Sequence, residues 1–285
     1  TATWVISPSP RFTASVSFVV FDMLILSDPH CAAQFVELVE RAQQFTQRFP
    51  RHLLGWKALG VALKQLGRDA EALDPMQRAA NLAPNDAESH NNLGVLLRDL
   101  GHLDEARRNL ARATTLKPDY AEAHANLGIT LRDLGHLTEA ESSCRRALAI
   151  NPHQIDALSN LGTVLRDSGR LDEAESIFRE ALRFQPASHE IHHNLGILLG
   201  DQIRLEEAEA CFVEALRIKP DFVEALHGFA RLRLACNDPF SALNAIIESL
   251  QIRATPEAKR LFVDCVKPLS FSEDNPDMRQ ILVCA

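Results

Sequence analysis

Proline stands at Pro50, Pro84, Pro118, Pro152, Pro186 and Pro220, each 34 residues after the last. Glycine keeps the same step at Gly60, Gly94, Gly128, Gly162 and Gly196, and alanine at Ala72, Ala106, Ala140, Ala174 and Ala208. Whole phrases recur with them: NNLGVLLRDLGHLDEA at 91–106, ANLGITLRDLGHLTEA at 125–140 and SNLGTVLRDSGRLDEA at 159–174. A constant interval of this length makes each repeat one supersecondary unit. Such a unit cannot fold alone and buries its apolar face only against its neighbours.

Each unit reads as two helices. The first carries apolar residues at helical spacing, as in Leu93, Leu96, Leu97 and Leu100. Gly101, Gly135 and Gly169 follow, where a left-handed cap suits glycine. A second amphipathic stretch comes next, for example LDEARRNLARATTL at 103–116, and a proline stops it. Gly94 and its equivalents lie in mid-helix at a cost of about 1 kcal/mol each relative to alanine. The compensating gain is close approach of the facing helix at Ala106 and its equivalents.

Leu-Gly, Ala and a terminal Pro at a period of 34 resemble the tetratricopeptide (TPR) repeat. The resemblance implies an all-α fold, a right-handed α-solenoid of stacked helix–turn–helix repeats with a concave groove. In the family's phase the repeats run 53–86, 87–120, 121–154, 155–188, 189–222 and a degenerate 223–256. Residues 32–52 read as a partial repeat, 1–31 stay unassigned, and 257–285 form a helical extension. Within that extension PEAKRLFVDCVKPL predicts one helix, and Asn275 with Pro276 predicts the start of another. Its ending inside an apolar stretch suggests a truncation or a segment that packs on a partner.

Three defects carry expectations. Pro75 falls inside the second helix of its repeat and should kink or shorten it. In the fifth repeat GDQIRL puts Ile203 where siblings have the turn glycine, which predicts a distorted turn. Phe229-Ala230 replaces Leu-Gly in the sixth repeat, as suits a capping unit.

Composition narrows the partners. The formal charge of −8 argues against nucleic acid or an anionic membrane, both of which need clustered Lys and Arg. FTASVSFVVFDMLIL at 12–26 is broken by Asp22 and too short to span a bilayer. Six cysteines with no CxxC pair point to reduced thiols in a cytoplasmic setting, with Cys144 and Cys211 in the core.

One repeated residue is not needed for folding. Positions 3, 7, 10 and 14 of the repeat form the buried stripe, and positions 2, 6, 9 and 13 a second stripe. Position 6 is Asn92, Asn126, Asn160 and Asn194, and position 13 is Asp99, Asp133, Asp167 and Asp201. Position 12 is Arg98, Arg132, Arg166 and then Gly200, and position 2 is Glu88, Glu122, Asp156 and Glu190. Asparagine is a middling helix former. Its carboxamide offers a donor and an acceptor together, matching the N–H and C=O of an extended peptide. An architectural role, bonding across neighbouring helices to fix their stacking, is the alternative.

This row, with the phrases NLG, LRDLG and EA, is similar to the asparagine ladder in the TPR superhelix of O-GlcNAc transferases. By that resemblance Asn92, Asn126, Asn160 and Asn194 would contact a peptide backbone over four repeats, since Ala58 and Gly228 interrupt the row at either end. The aspartates and arginines either tune ligand preference or pair with one another on a solvated rim.

Catalytic signals are weak. HEIHH at 189–193 matches HExxH, but siblings read AESHN and AEAHA, so Glu190 and His192 sit at ordinary repeat positions. His90 and His124 occupy the family's first aromatic position and are expected to pack there. No GxGxxG, GxxxxGK[ST] or GxSxG appears. The expectation is a non-catalytic module without cofactor or metal that binds a protein or peptide in extended conformation. The alternative is the substrate-recognition arm of a larger transferase. Self-association through the convex face is left open.

Overall fold

The computed structural model describes residues 29–267, and side chains from residue 34 onward. The expected helix at Asn275 and the segment 1–28 lie outside those residues. Two compact units divide at Pro84 and Asn85. The first holds α1 (Pro29–Arg48), α2 (Leu53–Gln65) and α3 (Asp69–Leu82). The second holds α4 (Ala87–Asp99), α5 (Leu103–Leu116), α6 (Ala121–Asp133), α7 (Leu137–Ile150), α8 (Ile155–Asp167) and α9 (Leu171–Phe184). It continues with α10 (His189–Asp201), α11 (Leu205–Ile218), α12 (Val223–Ala235), α13 (Pro239–Ile252) and α14 (Pro256–Val266). Among the described residues there is no strand, and each unit is built only of helices stacked in sequence order.

In the second unit each first helix packs on the second helix of its own repeat and on the next first helix, giving the series α4, α6, α8, α10, α12. Among the described residues the backbones of the second helices α5, α7, α9 and α11 stay apart from one another, and each packs instead on the first helix that follows it; Arg179 of α9 still reaches Glu207 of α11 at 3.9 Å. The central core joins Leu131, Leu158, Leu165, Phe178, Ile191, Leu198 and Phe212 across successive repeats. At the far end α14 lays Leu261 and Cys265 against Leu226, Leu243 and Ile246. Thr255 caps α14, its hydroxyl accepting from the Ala258 N–H at 3.0 Å.

The turns between the two helices of a repeat are Schellman caps. At the end of α4 the Gly101 N–H donates to the Arg98 carbonyl at 2.9 Å and the His102 N–H to the Leu97 carbonyl at 2.8 Å, with Gly101 at φ 81°. The expectation for the fifth repeat is corrected here. Ile203 adopts the same left-handed conformation, φ 62°, and makes the same two bonds, Ile203 N–H to Gly200 O and Arg204 N–H to Leu199 O, both 2.9 Å. The flanking helices and paired cap bonds over-determine the turn, so the misfit is stored as strain rather than released as distortion. Ile203 is also 78% exposed. Ile203→Gly is therefore expected to raise stability by about 1 kcal/mol, since relief of left-handed strain exceeds glycine's added chain entropy. Urea unfolding checks it; an unchanged or lower midpoint would count against stored strain.

Two further expectations need correction. α3 runs through Pro75 for 14 residues, the same length as its sibling second helices, so proline does not shorten it. The buried side chains Ala72, Pro75, Met76 and Ala79 hold the helix against α2 although one backbone hydrogen bond is lost. Cys144 is buried, but Cys211 is only half-buried, because its side chain leans on the edge of the core rather than into it. The mid-helix glycines do mark close approach. A Cβ on Gly94 would lie 2.6 Å from Leu110 Cγ and 3.3 Å from the Ala106 carbonyl oxygen.

Candidate functional site

The first helices place repeat position 6 at half-buried sites, so Asn92, Asn126, Asn160 and Asn194 recur once per helix. Position 5 of the same helices is more enclosed: Asn91 and Ala125 are buried, and Ser159 and His193 are half-buried. These two positions are joined between repeats. Asn126 Nδ2 donates to Asn91 Oδ1 at 3.0 Å, Asn160 Nδ2 to the Ala125 carbonyl at 3.2 Å, and Asn194 Nδ2 to Ser159 Oγ at 3.1 Å. Each amide nitrogen thus reaches one repeat back. The side chains of Asn126, Asn160 and Asn194 have no other hydrogen-bond partner among the described residues, so each Oδ1 has none. The nitrogen contact is what an architectural role requires, and the unengaged oxygen is what a ligand contact requires.

The series changes at both ends. Asn92 Oδ1 takes only a long contact from Asn91 Nδ2 at 3.5 Å, while that same Nδ2 donates to Glu122 at 3.1 Å. At the other end Gly228 supplies no amide, and His193 Nδ1 is buried without a hydrogen-bond partner. His193 instead packs on Phe222 and Phe212, with ring centroids 5.4 and 5.7 Å away. Burial pushes its imidazole down to about 4. His189 packs edge-on to Phe222 at 4.7 Å. Among the described residues no group of three or more His, Cys, Asp or Glu is placed to hold a metal ion.

Positions 12 and 13 interlock across repeats. Arg132 Nε lies 2.6 Å from Asp167 Oδ2 and Arg132 Nη1 3.5 Å from Asp133. Arg166 reaches Asp167 at 2.9 Å and Asp201 at 3.8 Å, and Arg98 pairs with Asp99 at 2.9 Å. Burial alone would raise the Asp167 carboxyl, but hydrogen bonds from Arg132 and Arg166 outweigh it and hold it below the usual range. Gly200 replaces the fourth arginine, so Asp201 has no guanidinium from its own helix.

Position 4 has a local duty that the sequence did not disclose. His124 Nε2 lies 3.2 Å from the Pro118 carbonyl, His192 Nε2 2.9 Å from the Pro186 carbonyl, and Trp56 Nε1 donates to the Pro50 carbonyl at 2.8 Å. A ring N–H here satisfies the carbonyl of the proline that ends the preceding repeat. At the same position His90 places Nδ1 3.0 Å from Asn109 Oδ1. No helix of the described residues is long and apolar enough to cross a membrane.

The position-5 acceptors were missed by sequence reasoning. Their chemistry varies (Asn, Ala, Ser, His), so periodicity gives no signal. Only the offset of 35 residues between donor and acceptor would have found them.

Models of the tetratricopeptide repeat match residues 39–87, 76–108, 94–135, 119–187 and 153–221. No curated protein matches the chain. Among solved structures, a tetratricopeptide repeat protein from Parabacteroides merdae superposes with a TM-score of 0.72 at 18% identity, over 82% of this chain and 93% of its own. A chain of the APC/C hetero-tetramer Cut9–Hcn1 gives 0.69 at 18% identity, over 85% of this chain and 48% of its own. The present chain therefore spans about half the length of that relative. A thermophilic TPR protein of Thermus thermophilus gives 0.60 at 23% identity, over 64% of this chain and 99% of its own. At these identities the likeness is one of fold.

Proposed function

The chain belongs to the tetratricopeptide repeat family, whose members generally mediate protein–protein interaction, and on that premise we propose that it holds an extended peptide along its first-helix layer. It works by binding rather than by chemistry of its own, and its setting is cytoplasmic. The observation that carries this reading is the row of half-buried asparagines, three of them anchored through nitrogen with the oxygen left without a protein partner. Amides held in this way lose little entropy when a ligand arrives, which favours affinity. The likeness to the asparagine ladder of O-GlcNAc transferase superhelices supports it. Asp99, Asp133, Asp167 and Asp201 with Arg98, Arg132 and Arg166 border the row and set which side chains it admits.

The test compares native chain with the quadruple Asn→Ala variant at 92, 126, 160 and 194 against a combinatorial library of 12-residue peptides. Each cross-repeat bond contributes about 1 kcal/mol, so both proteins are assayed well below the variant's own melting temperature. Loss of binding by the folded variant is expected. Retained binding would remove the row from the ligand site.

A further inference from the structure

The asparagine row has a second row of groups behind it, and the two differ in chemistry from repeat to repeat. Asn126 is held by a side-chain amide oxygen, Asn160 by a backbone carbonyl and Asn194 by a hydroxyl. A carbonyl only accepts, so at Asn160 the nitrogen must face the preceding repeat and the oxygen must face away from it. The same orientation recurs at 126 and 194. We propose that Asn91, the Ala125 carbonyl and Ser159 are positioning groups that aim the oxygens of Asn126, Asn160 and Asn194 outward, so that the row selects ligands presenting a hydrogen-bond donor at each repeat. This rests on the proposed peptide-binding reading and deepens it.

The consequence for the ligand is chemical. With one N–H of each amide spent on its tether, the oxygen, with two lone pairs, is the main group left to engage. An extended peptide meets it with backbone N–H groups. Proline or N-methylated residues at those points lose the contact. The acceptors also explain why the row ends where it does. The equivalent acceptor in the fifth repeat is His193, whose Nδ1 has no partner because position 228 carries glycine. Phe212 fills that space: a Cβ on Gly228 would come within 2.5 Å of its ring.

Carboxylate substitutions separate positioning from simple contact. Asn160→Asp keeps shape and outward acceptors, but the new carboxylate cannot donate to the Ala125 carbonyl and is repelled by it. Asn194→Asp is different, because the Ser159 hydroxyl can turn and donate to the new carboxylate, restoring the tether. The best 12-residue binder selected on the native chain is titrated by fluorescence anisotropy against both variants, each confirmed folded at the assay temperature. Affinity is expected to fall about tenfold in Asn160→Asp, one oriented hydrogen bond's worth, and to change less than about threefold in Asn194→Asp. Ester replacement of the peptide's amides, one at a time, should weaken binding at regularly spaced positions. Equal losses in both variants, or none in either, would overturn the positioning role while leaving the peptide site intact. A native chain that selects no peptide would overturn the peptide site and the positioning role together.

Discussion

Gly162→Ala is expected to destabilise the second unit by about 2 kcal/mol, although helix propensity alone would add about 1 kcal/mol. The added Cβ would lie 2.6, 2.8 and 2.9 Å from three carbons of the Phe178 ring. Phe178 is fully buried in a core that draws on four successive repeats, so the ring has no open direction in which to retreat. Overpacking of a well-filled core costs about 1–3 kcal/mol, with the upper part of that range reached when the obstructed group is rigid. Gly200 is the control. No atom stands within 4 Å of a Cβ built there, and Gly200→Ala should stabilise by up to about 1 kcal/mol. The same substitution thus acts with opposite signs 38 positions apart in one chain. Urea midpoints of the two variants check it, and a stabilised Gly162→Ala would show that the helices of that repeat separate readily.

What the sequence disclosed was what the backbone itself demands. Pro50, Pro84 and their successors end helices because the ring removes a donor, and Gly101, Gly135 and Gly169 take φ values of 77–81° that disfavour other residues. Such constraints are local, and a period of 34 displays them directly. The repeat identity and the helical class followed. Ile203 shows where local reasoning stops: its side chain argues against the turn, yet two cap bonds and the flanking helices impose it. The asparagine row was visible as a pattern, but not the direction in which each amide points. That direction is set by groups 35 residues away, one of which is the Ala125 carbonyl and leaves no trace in side-chain identity. Likewise nothing in HEIHH told that His193 would lie half-buried against two phenylalanines with a buried, unpartnered nitrogen.

That nitrogen makes acid the condition under which the second unit should first weaken. His193 is held neutral chiefly by burial; Arg166, Arg231 and His189 push in the same direction, while Glu224 opposes them. The usual imidazole value is 6.5 and the folded value about 4. A group whose folded pKa is lowered binds its proton more readily in the unfolded chain, so its contribution is complete above pH 6.5 and is lost as pH falls toward 4. The gap corresponds to about 3 kcal/mol. His124, His189 and His227 are also shifted down, each first by burial, and act in the same sense. Carboxylates join only at lower pH. Glu141 and Asp167 are held below their usual range by arginine hydrogen bonds, and their contribution is lost as pH falls below about 4.5. Between pH 6.5 and 4.5 the slope therefore belongs to histidine. His193→Phe keeps a ring beside Phe212 and Phe222 and removes both the titration and the unpartnered nitrogen. Its stability should vary less with pH across that window than the native chain's, whatever the offset at neutral pH. The slope is read from urea unfolding at half-unit steps, and equal slopes in the two proteins would place the acid sensitivity elsewhere.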